Sequence, residues 1–206
     1  GTDGSMREIE VLPPHLVDFV FQSISIDGRL GGAPKKREAA WLAVGDSITQ
    51  GMNARRPDAT YVQHMCDALS ISAWNLGIGG CRMDKDPFEW ASPMRAWKLV
   101  TIALGANDFV AGTPLDVFRR NTVEMVEALR QGAPQARIVM ITPVIMVRDI
   151  SGPVASLDAY REIISSVVAD TSCPSCAVVD GLTLVDAGGA HHTPCLLYTS
   201  DAADEE

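Results

Sequence analysis

Trp41-Leu42-Ala43-Val44-Gly45-Asp46-Ser47-Ile48-Thr49-Gln50-Gly51 runs four apolar residues into a Gly-Asp-Ser turn, and its reading decides the fold. A run this short suits a strand buried on both faces. Working outward, similar runs occur at 72–76, 99–104, 137–142 and 177–179. Helical patterns lie between the later ones. Leu115, Phe118, Val123, Val126 and Leu129 recur at helical spacings across 115–130, behind Thr113-Pro114, a favourable helix start. Leu157, Tyr160, Ile164, Val167 and Val168 do the same over 157–169 behind Ser156 as cap, and a weaker helix covers 60–69. Strands alternating with helices demand right-handed crossovers. The pattern therefore predicts a five-stranded parallel sheet with helices on both faces, a three-layer α/β/α, flavodoxin-like architecture.

In such sheets the ligand site lies beyond the carboxyl ends of the strands. Ser47 follows the first run, Gly77-Ile78-Gly79-Gly80 the second and Gly105-Ala106-Asn107-Asp108 the third. A serine at such a turn can attack a carbonyl if a base removes its proton. The oxyanion then formed needs preorganised donors, for which the amides of Ser47 and Gly80 and the side chain of Asn107 are candidates. Gly80 lacks a Cβ and lets its backbone approach a substrate closely. Each piece alone is an ordinary turn. Their joint appearance at consecutive strand ends argues for chemistry.

Composition narrows the alternatives. The chain has 206 residues, 47% of them hydrophobic, enough for one core plus an appendage. A net charge of -9 and a pI near 4.9 argue against a nucleic-acid partner or an anionic membrane surface. The short basic cluster Lys35-Lys36-Arg37 sits in a Gly/Pro-rich linker. No run approaches the ~18 apolar residues of a spanning helix, and no signal peptide is evident, so the chain reads as soluble with any address left to upstream sequence. Gly77-x-Gly79-Gly80 is not the dinucleotide fingerprint and no Walker lysine occurs. Five cysteines, an odd number, do not make a disulfide framework. Cys173-Pro174-Ser175-Cys176 precedes a strand, whereas thioredoxin-like pairs follow one, and no second C-x-x-C completes a zinc site. Neither redox nor metal chemistry is expected of it.

Residues 8–12 and 16–26 are rich in β-branched and aromatic residues and read as strands without a helical partner, ahead of the linker Gly31-Gly32-Ala33-Pro34. The loop from Cys81 to Trp97 holds Arg82, Phe88 and Trp90 as candidate pocket residues, without a pattern diagnostic of specificity.

Val44-Gly45-Asp46-Ser47-Ile48-Thr49-Gln50-Gly51, Asn75-Leu76-Gly77-Ile78-Gly79-Gly80 and Gly105-Ala106-Asn107-Asp108 together resemble the first three blocks of the SGNH or GDSL hydrolases, which cleave acyl esters. The resemblance covers about 41–182. It implies the SGNH hydrolase fold, Ser47 as nucleophile, Gly80 and Asn107 as oxyanion donors with the Ser47 amide, a small-molecule ester as substrate, and no metal or organic cofactor. It also implies that residues 1–40 hold a leader and the remnant of a jelly-roll domain, such as some carbohydrate-active members carry, before a hydrolase domain at 41–194.

The departure is at the fourth block, Asp-x-x-His. Here Asp180-Gly181-Leu182-Thr183 has Thr where the base should be. In the jelly-roll-bearing members such a segment precedes the true block, which should then begin near residue 195. What stands at 195–206 reads as a translated transposase adapter from a sequencing library, cutting the natural gene at about Pro194; a native acidic tail is the alternative. His15 and His64 read as surface or packing residues. His191 and His192 are the histidines close to the missing block, and Asp186 could orient either. The family's last helix is also missing, so Leu196, Leu197 and Tyr198, or a second copy in a homodimer, are expected to cover the sheet face it leaves. Two readings follow: a Ser47 hydrolase of short acyl or carbohydrate acetyl esters, or a folded, catalytically impaired fragment that binds ligands in the same cleft.

Overall fold

Five strands pair in parallel in the order β2-β1-β3-β4-β5, with β1 Ala39–Gly45, β2 Ser72–Gly77, β3 Leu99–Ala103, β4 Arg137–Ile141 and β5 Cys176–Val179. This computed structural model describes residues 11, 16, 20–25, 29, 31–32, 39–52, 54–146, 152–171 and 173–184. Each expected apolar run became a strand. Burial on both faces, however, is confined to the middle of the sheet: β2 and β5 lie at its edges, where each strand has one neighbour, and their side chains are mostly half-buried.

The three expected helices are α2 Tyr61–Leu69, α5 Leu115–Gly132 and α6 Leu157–Asp170. Thr60 and Ser156 cap α2 and α6 by accepting from the amides of Gln63 and Ala159, while Pro114 precedes α5. Three shorter helices, α1 Ser47–Gln50, α3 Asp86–Glu89 and α4 Ala106–Ala111, carry too few residues to show a period.

Strand alternation sorts the sheet's side chains into two layers. Val44, Ile102 and Met140 share one row and are fully buried beneath α5 and α6, among Phe118, Met125, Leu129, Tyr160 and Ile164. Trp41 and Ala43 face the other way and pack on Val62 and Cys66 of α2. The buried Trp41 indole donates to Thr101 Oγ1 at 3.0 Å, which satisfies its one polar group. On this second face Val139, Ile141, Ala177 and Val179 are half-buried.

One expectation needs correction. Residues 20–25 form no strand and are exposed, because a strand requires a ladder partner and none is present among the described residues. The remaining residues of the two expected N-terminal strands lie largely outside the described set. Cys173 and Cys176 are joined in a disulfide, a single local bridge across the turn that enters β5.

The parallel sense brings the ends of all five strands to one edge, and at one point the backbones nearly touch. A Cβ on Gly77 would lie 2.0 Å from the backbone nitrogen of Gln50, so only glycine lets α1 fold down against the end of β2. Gly77→Ala is expected to cost about 3 kcal/mol in urea denaturation. Gly32→Ala, whose Cβ meets open space, should change stability by no more than about 0.5 kcal/mol. Equal effects would show that the contact between α1 and β2 carries no constraint.

Candidate active site

The site begins where β1 ends. Asp46 leaves the strand in extended conformation and caps α1, its Oδ1 accepting from the Ile48 amide at 2.9 Å. Ser47 is therefore the first residue of a helical turn, and it is buried. Side chains stitch this turn to the end of β2. Asn75 Nδ2 donates to the Thr49 carbonyl at 2.7 Å while Asn75 Oδ1 accepts from the Gly77 amide at 2.8 Å, and Gln50 Oε1 accepts from the Gly79 amide at 3.0 Å.

These bonds bring the glycine loop over the serine. A Cβ on Gly79 would be 4.0 Å from Ser47 Cβ, and Gly80 has a φ of +74°, a left-handed conformation natural to glycine, with open space where its Cβ would be. Beyond Gly80 the loop is gripped from behind. The Cys81 carbonyl accepts from Asn107 Nδ2 at 3.0 Å, Asp108 Oδ2 accepts from the Met83 amide at 2.8 Å, and Asn121 Nδ2 donates to the Met83 carbonyl at 2.9 Å. Met83 itself is fully buried.

The consequence is a set of free donors. One N–H of the Asn107 amide is committed to Cys81, which fixes the amide and leaves the second. Among the described residues the amides of Ser47 and Gly80 have no hydrogen-bond partner. Ser47, Gly80 and Asn107 thus meet at one sheet edge, where their donors could hold an oxyanion. Asp186, His191 and His192 lie outside the described residues. Asp180 is used locally: its Oδ1 accepts from the Leu182 amide at 3.0 Å and its carbonyl from the Thr183 hydroxyl at 2.7 Å. His64, on α2, is exposed. Phe88 is core, and Trp90 is exposed with its indole donating to the Pro87 carbonyl.

Sequence reasoning missed the supporting set. Gln50 and Asn75 stand inside quoted blocks without an assigned task. Asn121 left a fainter signal, as a polar residue beside the apolar stripe of α5. No group of three or more His, Cys, Asp or Glu side chains converges among the described residues.

The sequence model of the GDSL-like lipase/acylhydrolase family matches residues 43–198. The chain belongs to that family. Solved structures resembling this GDSL chain include the salicylyl-acyltransferase SsfX3 from a tetracycline biosynthetic pathway, at 21% identity and a TM-score of 0.64, over 73% of this chain and 44% of that one. A family two carbohydrate esterase from Cellvibrio japonicus follows at 20% and 0.61, over 72% and 53%. Another from Clostridium thermocellum, solved with cellohexaose, has 21% and 0.58, over 74% and 56%. At these identities the likeness shows a shared fold, and the chain spans about half the length of these proteins. No curated protein sequence matches the chain.

Burial dominates the electrostatics of this GDSL site. It pushes the Asp46 carboxyl from 3.8 up to about 6, against the stabilising Ile48 amide. It also pushes Tyr61, whose hydroxyl is 2.9 Å from Thr49 Oγ1, up to about 12. Asp108 is raised by burial too, opposed by the Met83 amide. Folded Asp46 holds its proton more tightly than the unfolded chain does. Its contribution to stability is therefore complete below about pH 4 and lost as the pH rises through about 6, by up to about 3 kcal/mol. Asp46→Asn keeps a capping acceptor but cannot titrate. Urea denaturation from pH 4 to 7 should show stability falling in the parent relative to Asp46→Asn; parallel profiles would contradict a buried, protonatable Asp46.

Proposed function

We propose that this chain hydrolyses esters of short acyl groups, carbohydrate acetyl esters among them, through an acyl-enzyme on Ser47. The observation that carries the reading is the convergence of Ser47, Gly80 and Asn107, with the Ser47 and Gly80 amides and the second N–H of Asn107 left without an acceptor among the described residues. Ser47 Oγ attacks the ester carbonyl while a base takes its proton. The carbonyl electron pair moves onto oxygen, where the amides of Ser47 and Gly80 and the second N–H of Asn107 stabilise it. Losing one such donor typically costs about 3 to 4 kcal/mol of barrier lowering. Collapse expels the alcohol, which receives the proton, and water then releases the acid and restores the serine. His191 or His192 is proposed as the base, with Asp186 orienting it.

The substrate class rests on two supports. Glycines at 79 and 80 leave room beside the serine for a bulky alcohol, and similar folds include carbohydrate esterases and an acyltransferase. The Thr183 hydroxyl, bonded to the Asp180 carbonyl in the position of the family's base, favours a second reading. On that reading the chain binds ligands in the cleft and hydrolyses little, since a serine site without its base loses several orders of magnitude of rate.

Hydrolysis of p-nitrophenyl acetate separates the two. Ser47→Ala should lower kcat/KM by at least about 10³-fold, and His191→Ala/His192→Ala by a similar factor. Hydrolysis by neither the parent nor Ser47→Ala above the rate without protein would favour the binding remnant. Measurable hydrolysis unchanged by Ser47→Ala would overturn the serine mechanism.

A further inference from the structure

At the opposite end of the sheet from Ser47, Cys173-Pro174-Ser175-Cys176 forms a tight turn closed by a bond from the Cys176 amide to the Cys173 carbonyl at 3.0 Å. The two Cα atoms are 5.3 Å apart and the sulfurs are joined. We propose that this pair is a thiol–disulfide exchange site for small zwitterionic thiols, of which glutathione is representative.

The bridge adds little as a staple. A cross-link across so few residues removes the least entropy from the unfolded chain. Its turn is already closed by the backbone bond, and β5 pairs with β4 from Ile138↔Cys176 to Ile141↔Val179. What distinguishes it is access. Cys173, Pro174 and Ser175 line an open cavity of about 550 Å³ together with Glu127, Arg130 and Gln131 from the last turns of α5. That wall offers a guanidinium for a carboxylate, a carboxylate for an ammonium and an amide for a peptide group, a set matched to an amino-acid thiol.

The two sulfurs are not equivalent. Cys173 borders the cavity, whereas Cys176 is the first residue of β5 and packs against the core. An incoming thiolate therefore attacks Cys173 Sγ, forming a mixed disulfide and releasing Cys176 as thiolate. A second thiolate attacks the small molecule's sulfur, frees Cys173 and leaves as the symmetric disulfide. Two thiols are oxidised, the cysteine pair takes up two electrons, and the protons of the two thiols end on the cysteines. The Ser175 hydroxyl, 3.4 Å from Cys173 Sγ, is placed to stabilise the Cys173 thiolate. In contrast, Cys66 is buried, and the Cys81 thiol is pushed up by burial and by the charge of Asp84. These two serve as internal references.

The test uses the full chain with glutathione as probe. Oxidised protein is equilibrated in buffers of varied reduced-to-oxidised glutathione ratio, quenched in acid, alkylated and mapped by peptide mass. The pair should open and close reversibly within that range while circular dichroism stays unchanged. In Cys176→Ser, oxidised glutathione should modify Cys173 at least about tenfold faster than Cys81. Adding Arg130→Ala should slow this at least about fivefold, but leave reaction with the disulfide of neutral 2-mercaptoethanol unchanged. A bridge that stays closed across all glutathione ratios, or a Cys173 no faster than Cys81, would overturn the site. Equal effects of Arg130→Ala on both probes would overturn the ligand class. If Cys176→Ser does not fold, the opening and closing of the parent bridge decides.

Discussion

The bond from Asn107 Nδ2 to the Cys81 carbonyl is the contact on which the geometry of the serine site depends. Residues 79–83 belong to no strand or helix, so nothing in the sheet ladder fixes them over Ser47. They are held instead by side chains reaching out of α1, α4 and α5: Gln50 on Gly79, Asn107 on Cys81, and Asp108 and Asn121 on the two polar groups of Met83. Each bond is worth about 1 kcal/mol net, but a buried Met83 left unpaired would cost about 1 to 3 kcal/mol, so the grip is self-enforcing. The same bond locks the plane of the Asn107 amide, as its proposed role of oxyanion donor requires.

The other strand ends are tied together on the same edge. Arg161 of α6 donates from Nε to the Pro143 carbonyl at 2.8 Å and from Nη2 to that of Val144 at 2.9 Å, which secures the chain leaving β4. Thr142 then joins β4 to β5, accepting from the Gly181 amide at 2.8 Å and donating to Asp180 Oδ1 at 3.3 Å. Asp180 Oδ1 thus serves as both cap and latch. These bonds direct the backbone beyond β5.

Much of this was legible before any coordinates. The runs at 41–44 and 99–104 are strands because short apolar segments bounded by turns and helices have no other stable use in a parallel sheet. Edge positions were not legible, since nothing in 72–76 records how many neighbours a strand will have. Nor were α1, α3 and α4, whose lengths fall below a visible period. Within the site, Ser47, Gly80 and Asn107 announced themselves by residue type and order. Asn121 could not, because its bond to Met83 spans 38 residues and depends on how α5 lies against the loop. At Cys173-Pro174-Ser175-Cys176 the place before a strand was visible, but neither the bridge nor the cavity beside it was.

The ester chemistry turns on whether Ser47 becomes acylated. The protein can be mixed with p-nitrophenyl acetate, quenched in acid within the first turnover and mapped by peptide mass. A single acetyl group on Ser47, absent from Ser47→Ala, is the expected result. Acetyl on another residue, or none on Ser47, would contradict an acyl-enzyme at this serine.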